Sequence, residues 1–205
     1  MKKNKILFIH HLSVVGGATK SLFDLVHYVK SNGYDPSVLF YGKQGNAFSW
    51  FKKNKIKCYN FENGKTFQHA NGAYIPILQK RPYRVFTIFL KAIFSIRETK
   101  DLISKINPDL VYLNTSLLFP AAIASKLLNI RVVWHIREQL HDGVFGLRNL
   151  FLRKCFTNFS DKLICISKTN AKKIRAKCCN VIYNSTDHDM VFKSNKISMI
   201  KKRYN

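Results

Sequence analysis

KILFIH, Lys5 to His10, is a run in which apolar side chains follow one another almost without a break between polar neighbours. A strand with one wet face alternates polar and apolar residues, whereas a continuous short run belongs to a strand covered on both faces, as in a parallel sheet. Parallel neighbours need a crossover between them, and the next residues supply one. After a loop holding Gly16 and Gly17, residues Leu22, Leu25, Val26 and Val29 recur at helical spacing over 18–31, and Asn32-Gly33 provides a stop.

The same alternation continues outward from this first unit. Strands are expected at 36–41 and 56–61 around a short helix at 48–54. Residues 62–82 lose all periodicity among Gly64, Gly72, Pro76 and Pro82, which predicts a long loop facing substrate or membrane. A long helix over Tyr83–Ile106 ends at Asn107-Pro108. Strands at 110–113, 132–135, 162–166 and 181–183 then alternate with helices at 119–128, 145–156 and 169–177. Strand and helix in strict succession predict an α/β fold, a Rossmann-like parallel sheet with helices on both faces.

Composition narrows the function classes. The 205 residues are 46% hydrophobic with 16 Phe and 9 Tyr, which excludes a disordered chain. Lysine and arginine number 35 against 11 acidic residues, a formal net charge of +24 that calls for a polyanionic partner: nucleic acid, an anionic membrane surface or a phosphorylated substrate. Zinc spacing, a basic helix with heptads and RNA-binding motifs are all missing, so no nucleic-acid partner is expected. Cys58, Cys155, Cys165, Cys178 and Cys179 have no metal spacing and read as reduced thiols. His10 and His11 interrupt the apolar start too early for an export signal, and the apolar stretch 85–96 is too short to span a bilayer and carries Lys91. The 83–106 helix reads either as core-facing or, with Arg84, Lys91, Arg97 and Lys100 among its apolar residues, as a membrane-surface element.

In parallel sheets, chemistry sits on loops after the strands' C-terminal ends. The first such loop, HHLSVVGGATKS (10–21), holds Gly16 and Gly17, which either make a tight turn or let the backbone approach a phosphate at a helix N-terminus. It matches neither G-x-G-x-x-G nor a P-loop, so a dinucleotide dehydrogenase is disfavoured and no cofactor is expected. VVWHIRE (132–138) ends a strand in His135, Arg137 and Glu138, where His135 is either a satisfied structural residue or a ligand to a hydroxyl in the crevice. LICISK (163–168) leads to a Ser suited to capping a helix, and VIYNSTD (181–187) ends in a polar turn. No metal site and no nucleophile motif is present.

Taken in order, KILFIHHLSVVGGATKSLFDLV, PDLVYLNTS, VVWHIRE, KLICISKTNAKKI and VIYNSTD resemble the N-terminal, acceptor-side domain of family 4 glycosyltransferases, retaining enzymes of the GT-B fold. The resemblance implies a domain over 1–190 and a basic stub of the interdomain region over 191–205. It implies that Gly16 and Gly17 approach the donor diphosphate, that His135 is the catalytic residue beside the transferred sugar, and that Arg137 and Glu138 shape the acceptor side. Asn184 and Asp187 would mark the turn into the second domain. Thr19 and Lys20 stand where the family carries Glu after Gly-Gly-Ala, and Ser185 where it carries Gly.

The implied partners are a nucleotide-sugar, a glycan or lipid-linked acceptor, and an anionic membrane surface. The implied location is cytoplasmic, peripheral on the inner face of the membrane, in polysaccharide, lipopolysaccharide or glycolipid synthesis. The nucleotide-sugar half of the family is absent from these 205 residues, so the chain is expected to be truncated or to need a separate C-terminal-half polypeptide. The alternative is a non-catalytic basic α/β domain that binds anionic lipid or another polyanion. Gly16, Gly17, His135 and Arg137 are expected in one crevice, with His135 serving transfer rather than stability.

Overall fold

The computed structural model describes residues 3–11, 13–66, 83–138, 140, 146–174 and 179–183. Its strands are β1 (Lys5–His10), β2 (Asp35–Tyr41), β3 (Lys57–Phe61), β4 (Leu110–Leu113), β5 (Arg131–Ile136), β6 (Lys162–Cys165) and β7 (Cys179–Val181). The helices are α1 (Gly17–Ser31), α2 (Asn46–Lys53), α3 (Tyr83–Ile106), α4 (Phe119–Leu127), α5 (Leu147–Phe159) and α6 (Lys168–Ile174). All strands pair in parallel in the order β3-β2-β1-β4-β5-β6-β7. The expected Rossmann-like α/β class is therefore the observed one. The direction of winding reverses between β1 and β4, and that reversal opens the crevice.

Continuous apolar runs are explained by two cores. Leu7, Ile9, Val111, Leu113, Val132, Trp134 and Ile136 enter one face, where α3, α4, α5 and α6 cover them. Phe8, Val38, Phe40 and Tyr112 enter the other, beneath Leu22 and Val26 of α1 and Phe48 and Phe51 of α2. On this second face Val133 and Ile164 are only partly buried, because α1 ends its coverage at β4 and β5.

Helix ends follow the local chemistry read from the sequence. Gly33 adopts φ +87°, and the amide of Tyr34 donates back to Val29 O at 3.3 Å, so α1 stops where a left-handed residue is available. Ser167 accepts from the Asn170 amide at 3.1 Å and caps α6. Helix α5 begins two residues later than expected because Gly146 sits at φ +73° outside it. It continues to Phe159, with Thr157 Oγ1 donating to Arg153 O at 3.0 Å in its last turns. The 62–82 loop lies outside the described residues from 67 onward, as do the 184–190 turn and the 191–205 stub.

Candidate functional site

His10 ends β1 and Asn114 follows β4, so the crevice at the winding reversal is floored by these two buried side chains. Their hydrogen bonds form a chain with only one consistent direction. Thr19 has a single hydroxyl proton, given to Val14 O at 2.8 Å, so the His10 Nε2–H must donate to Thr19 Oγ1 at 3.1 Å. His10 Nδ1 then accepts from Asn114 Nδ2 at 3.1 Å, which turns Asn114 Oδ1 toward the Nε–H of Arg137, 3.0 Å away. This needs a neutral imidazole, and burial, helped by the charges of His11 and Arg137, holds the His10 pKa down at about 3. A buried chain in which every donor meets an acceptor is rigid. It ties the backbone just before Gly16-Gly17 to the guanidinium of Arg137. Thr19, where the resembled family carries Glu, is thus a fully buried link in the chain.

Arg137 also donates from Nη2 to Ser21 Oγ at 2.8 Å, reaching from the end of β5 to α1. Beside it lies a cavity of about 480 Å³, lined by Tyr28, Tyr112, His135, Arg137, Ile164 and Tyr183 among others. His135 is only 5% exposed. Its Nδ1 pairs with Tyr112 OH at 2.6 Å, while its buried Nε2 meets no partner among the described residues. Burial first, and the Arg137 charge second, lower its pKa to about 4, so the ring is neutral and Nε2 can exchange one hydrogen bond with a hydroxyl. His135 is buried and holds Tyr112, so His135→Ala is expected to cost stability through the lost partner, whatever else the residue does.

The same burial makes a pH prediction. Both His10 and His135 have folded pKa values below the ordinary 6.5, so the unfolded chain binds more protons as pH falls. Stability is therefore full above pH 6.5 and falls on acidification toward the folded values of about 3 and about 4. The loss at pH 5 relative to pH 7.5 is on the order of a few kcal/mol. Urea midpoints at the two pH values measure it; a His135→Gln variant should show a shallower pH slope, and an unchanged slope would refute the assignment.

Glu138 is turned away from this cavity. Its carboxylate accepts from Thr115 Oγ1, from the Ser116 amide at 3.1 Å and from Ser116 Oγ at 2.9 Å, bracing the loop after β4. Its carbonyl accepts from Asn170 Nδ2 at 3.2 Å, which fastens α6 to the same corner. Gly16 and Gly17 are not among the residues lining the cavity; they lie at the end of neighbouring β1, joined to it through the chain of hydrogen bonds. Neither has a left-handed φ, and a Cβ at either would meet nothing within 4 Å. The turn does not require glycine there. What glycine leaves is open space before the N-terminus of α1.

Asn184 and Asp187 lie outside the described residues. His10, Thr19, Ser21, Tyr112 and Asn114 were not named as site residues from the sequence, where Thr19 stood out only as a departure from the family pattern and His10 only as an interruption of an apolar run. The available signal was that KILFIH and LVYLN each end an apolar strand in a polar residue, at the edge where ligands bind. Among the described residues no three His, Cys, Asp or Glu converge as metal ligands.

Comparisons place this geometry among known proteins. A family model described as Glycosyltransferase Family 4 matches residues 15–190. A glycosyltransferase from Rickettsia africae has a TM-score of 0.59 at 15% identity, covering 100% of this chain and 50% of that one. The UDP-GlcNAc 2-epimerase from Neisseria meningitidis, solved with UDP-GlcNAc bound, gives 0.60 at 16%, covering 97% and 52%. MurG from Acinetobacter baumannii gives 0.57 at 14%, covering 95% and 50%. At such identities the likeness shows the fold, one Rossmann-like half of GT-B. The chain spans about half the length of these structures. No curated protein matches it.

Proposed function

The chain belongs to glycosyltransferase family 4, and from that membership we propose that it forms the acceptor-side half of an enzyme that moves a sugar from a nucleotide-sugar to a glycan or lipid-linked acceptor, with retention, in polysaccharide, lipopolysaccharide or glycolipid synthesis. The observation that supports this reading is the directed chain from Val14 O to Arg137, which ties that guanidinium to the loop leading into Gly16-Gly17. In the assembled site the donor diphosphate occupies that opening, with Arg137 supplying charge. His135 Nε2 hydrogen-bonds a hydroxyl of the transferred sugar. Retention then proceeds by front-face attack assisted by the donor's own phosphate and needs no protein nucleophile. One wall of the cleft cannot enclose the donor or exclude water, so turnover requires a nucleotide-sugar-binding half, from a longer form of the protein or from a separate polypeptide.

Gly17→Ala tests the reading. The substitution adds a methyl into empty space at the first position of α1, so stability should change by less than about 1 kcal/mol, in the stabilising direction. Transfer by the two-domain enzyme should nonetheless fall about tenfold or more, through KM for the donor, as the close approach is lost. Unchanged donor kinetics would remove the diphosphate from this loop.

The proposal extends to the membrane. Among the described residues no helix is long and apolar enough to cross a bilayer. Helix α3 turns Ala92, Ser95, Thr99 and Ile103 inward, yet carries Phe86 (63% exposed), Ile93 and Phe94 (75% exposed) outward at helical spacing beside Lys91 and Arg97. An apolar stripe flanked by cations suits the interface of an anionic bilayer, on the cytoplasmic face where acidic lipids lie. Phe86→Ser with Phe94→Ser should lower affinity for anionic vesicles by about tenfold or more while leaving the fold intact. Wild-type vesicle binding in that variant would exclude α3 as the docking element.

A further inference from the structure

A second cleft opens on the opposite face of the sheet from His135. It has a volume of about 560 Å³ and lies between α5 and α6, lined by Gly146 and by Asn149, Leu150 and Arg153 from the N-terminal half of α5 and by Thr169, Lys172 and Lys173 of α6. No carboxylate is among the residues that line it. Exposed lysines in a chain of net charge +24 are ordinarily a solvated face, and solvation would let them spread apart. Here two of the three cations are tethered. Arg153 Nε donates to Ile174 O at 3.0 Å, and Lys173 Nζ donates to Leu140 O at 2.8 Å. The tethers hold like charges around one concavity, with the Thr169 hydroxyl and the positive end of α5 beside them. The arrangement matches an anion with several acceptor oxygens, and the volume admits more than that anion alone.

The geometry points to a phosphate-binding site between α5 and α6 that receives a phosphate group carried by the sugar acceptor. The acceptor assignment rests on the glycosyltransferase reading; the phosphate site does not. Arg153 supplies a planar fork for two oxygens, and Lys172 and Lys173 supply point charges from the facing helix.

Calorimetric titration of the 205-residue chain with sn-glycerol 3-phosphate should show saturable binding that weakens with added salt. Lys172 is exposed, so Lys172→Gln should leave the fold unchanged and reduce affinity about tenfold. Lys53→Gln, on α2 and away from the cleft, should bind like wild type. Sedimentation with phosphatidylcholine vesicles containing phosphatidic acid separates the sources. Loss of vesicle binding in Lys172→Gln identifies a lipid headgroup; loss confined to the soluble ester identifies a soluble phosphorylated acceptor. No saturable binding of either probe, or equal affinity in Lys172→Gln, overturns the site. In the two-domain enzyme Lys172→Gln should raise KM for a phosphate-bearing acceptor and spare KM for the nucleotide-sugar. Transfer indifferent to Lys172 overturns the acceptor assignment, whereas phosphate binding without any transfer supports the site and counts against the glycosyltransferase reading.

Discussion

Arg137→Gln is expected to lower sugar transfer by the two-domain enzyme by about two orders of magnitude or more, the scale of removing a preorganised donor at developing charge. The side chain does two things at once. It donates to Asn114 Oδ1 and Ser21 Oγ, and it presents positive charge to the cavity beside His135. Losing the first costs stability, about 1–3 kcal/mol for stranded buried acceptors. Losing the second appears in kcat/KM measured where the variant is still folded. Arg137→Lys distinguishes them: it restores the charge without the fork, so recovery should be partial at most. Full activity in Arg137→Gln would show that the cation takes no part in transfer, and full activity in Arg137→Lys would show that the charge serves without the fork.

Trp134→Ala should be the most destabilising single change in β5, at about 3–5 kcal/mol. Trp134 is fully buried, packs edge-on against Phe156 of α5 with ring centroids 4.7 Å apart, and donates from Nε1 to Thr115 O at 2.7 Å. The substitution opens a cavity between β5 and α5 and strands a carbonyl in the loop that Glu138 braces. Against a net stability of about 5–15 kcal/mol, such a loss leaves a domain that melts at or near physiological temperature. Urea unfolding measures it, and a cost below about 1 kcal/mol would mean that β5 is not held by this packing.

These two neighbours show what the sequence could and could not disclose. VVWHIRE announced a buried strand ending at the ligand edge, and β5 is that strand. In a strand apolar on both faces, however, the alternation carries no sign of which residue goes where. Trp134 enters the helix-packed core and His135 the opposite face, a difference only the sheet's neighbours decide. Arg137 and Glu138, adjacent in sequence, were read together as acceptor-side residues. The period of an extended backbone separates them, sending Arg137 to α1 and Glu138 to the loop after β4.

Long-range pairing was equally hidden. His10 and Asn114 are 104 residues apart, and nothing local predicts that β1 and β4 are neighbours. His10 registered only as an interruption of an apolar run. The α5–α6 cleft escaped notice because Arg153 and Lys172 occupy ordinary polar positions on separate helices and meet only through tertiary packing. Helix stops were legible because they depend on one residue's own backbone freedom, as at Gly33.

The central claim is that this domain is one wall of a sugar-transfer cleft. The most direct measurement is transfer of labelled sugar from a panel of nucleotide-sugars, by the 205-residue chain alone and by the same chain joined to a family 4 nucleotide-sugar-binding half. The account predicts transfer only by the joined protein, lost in Arg137→Gln. Sustained transfer by the chain alone, or transfer by the joined protein that is indifferent to Arg137, would contradict it.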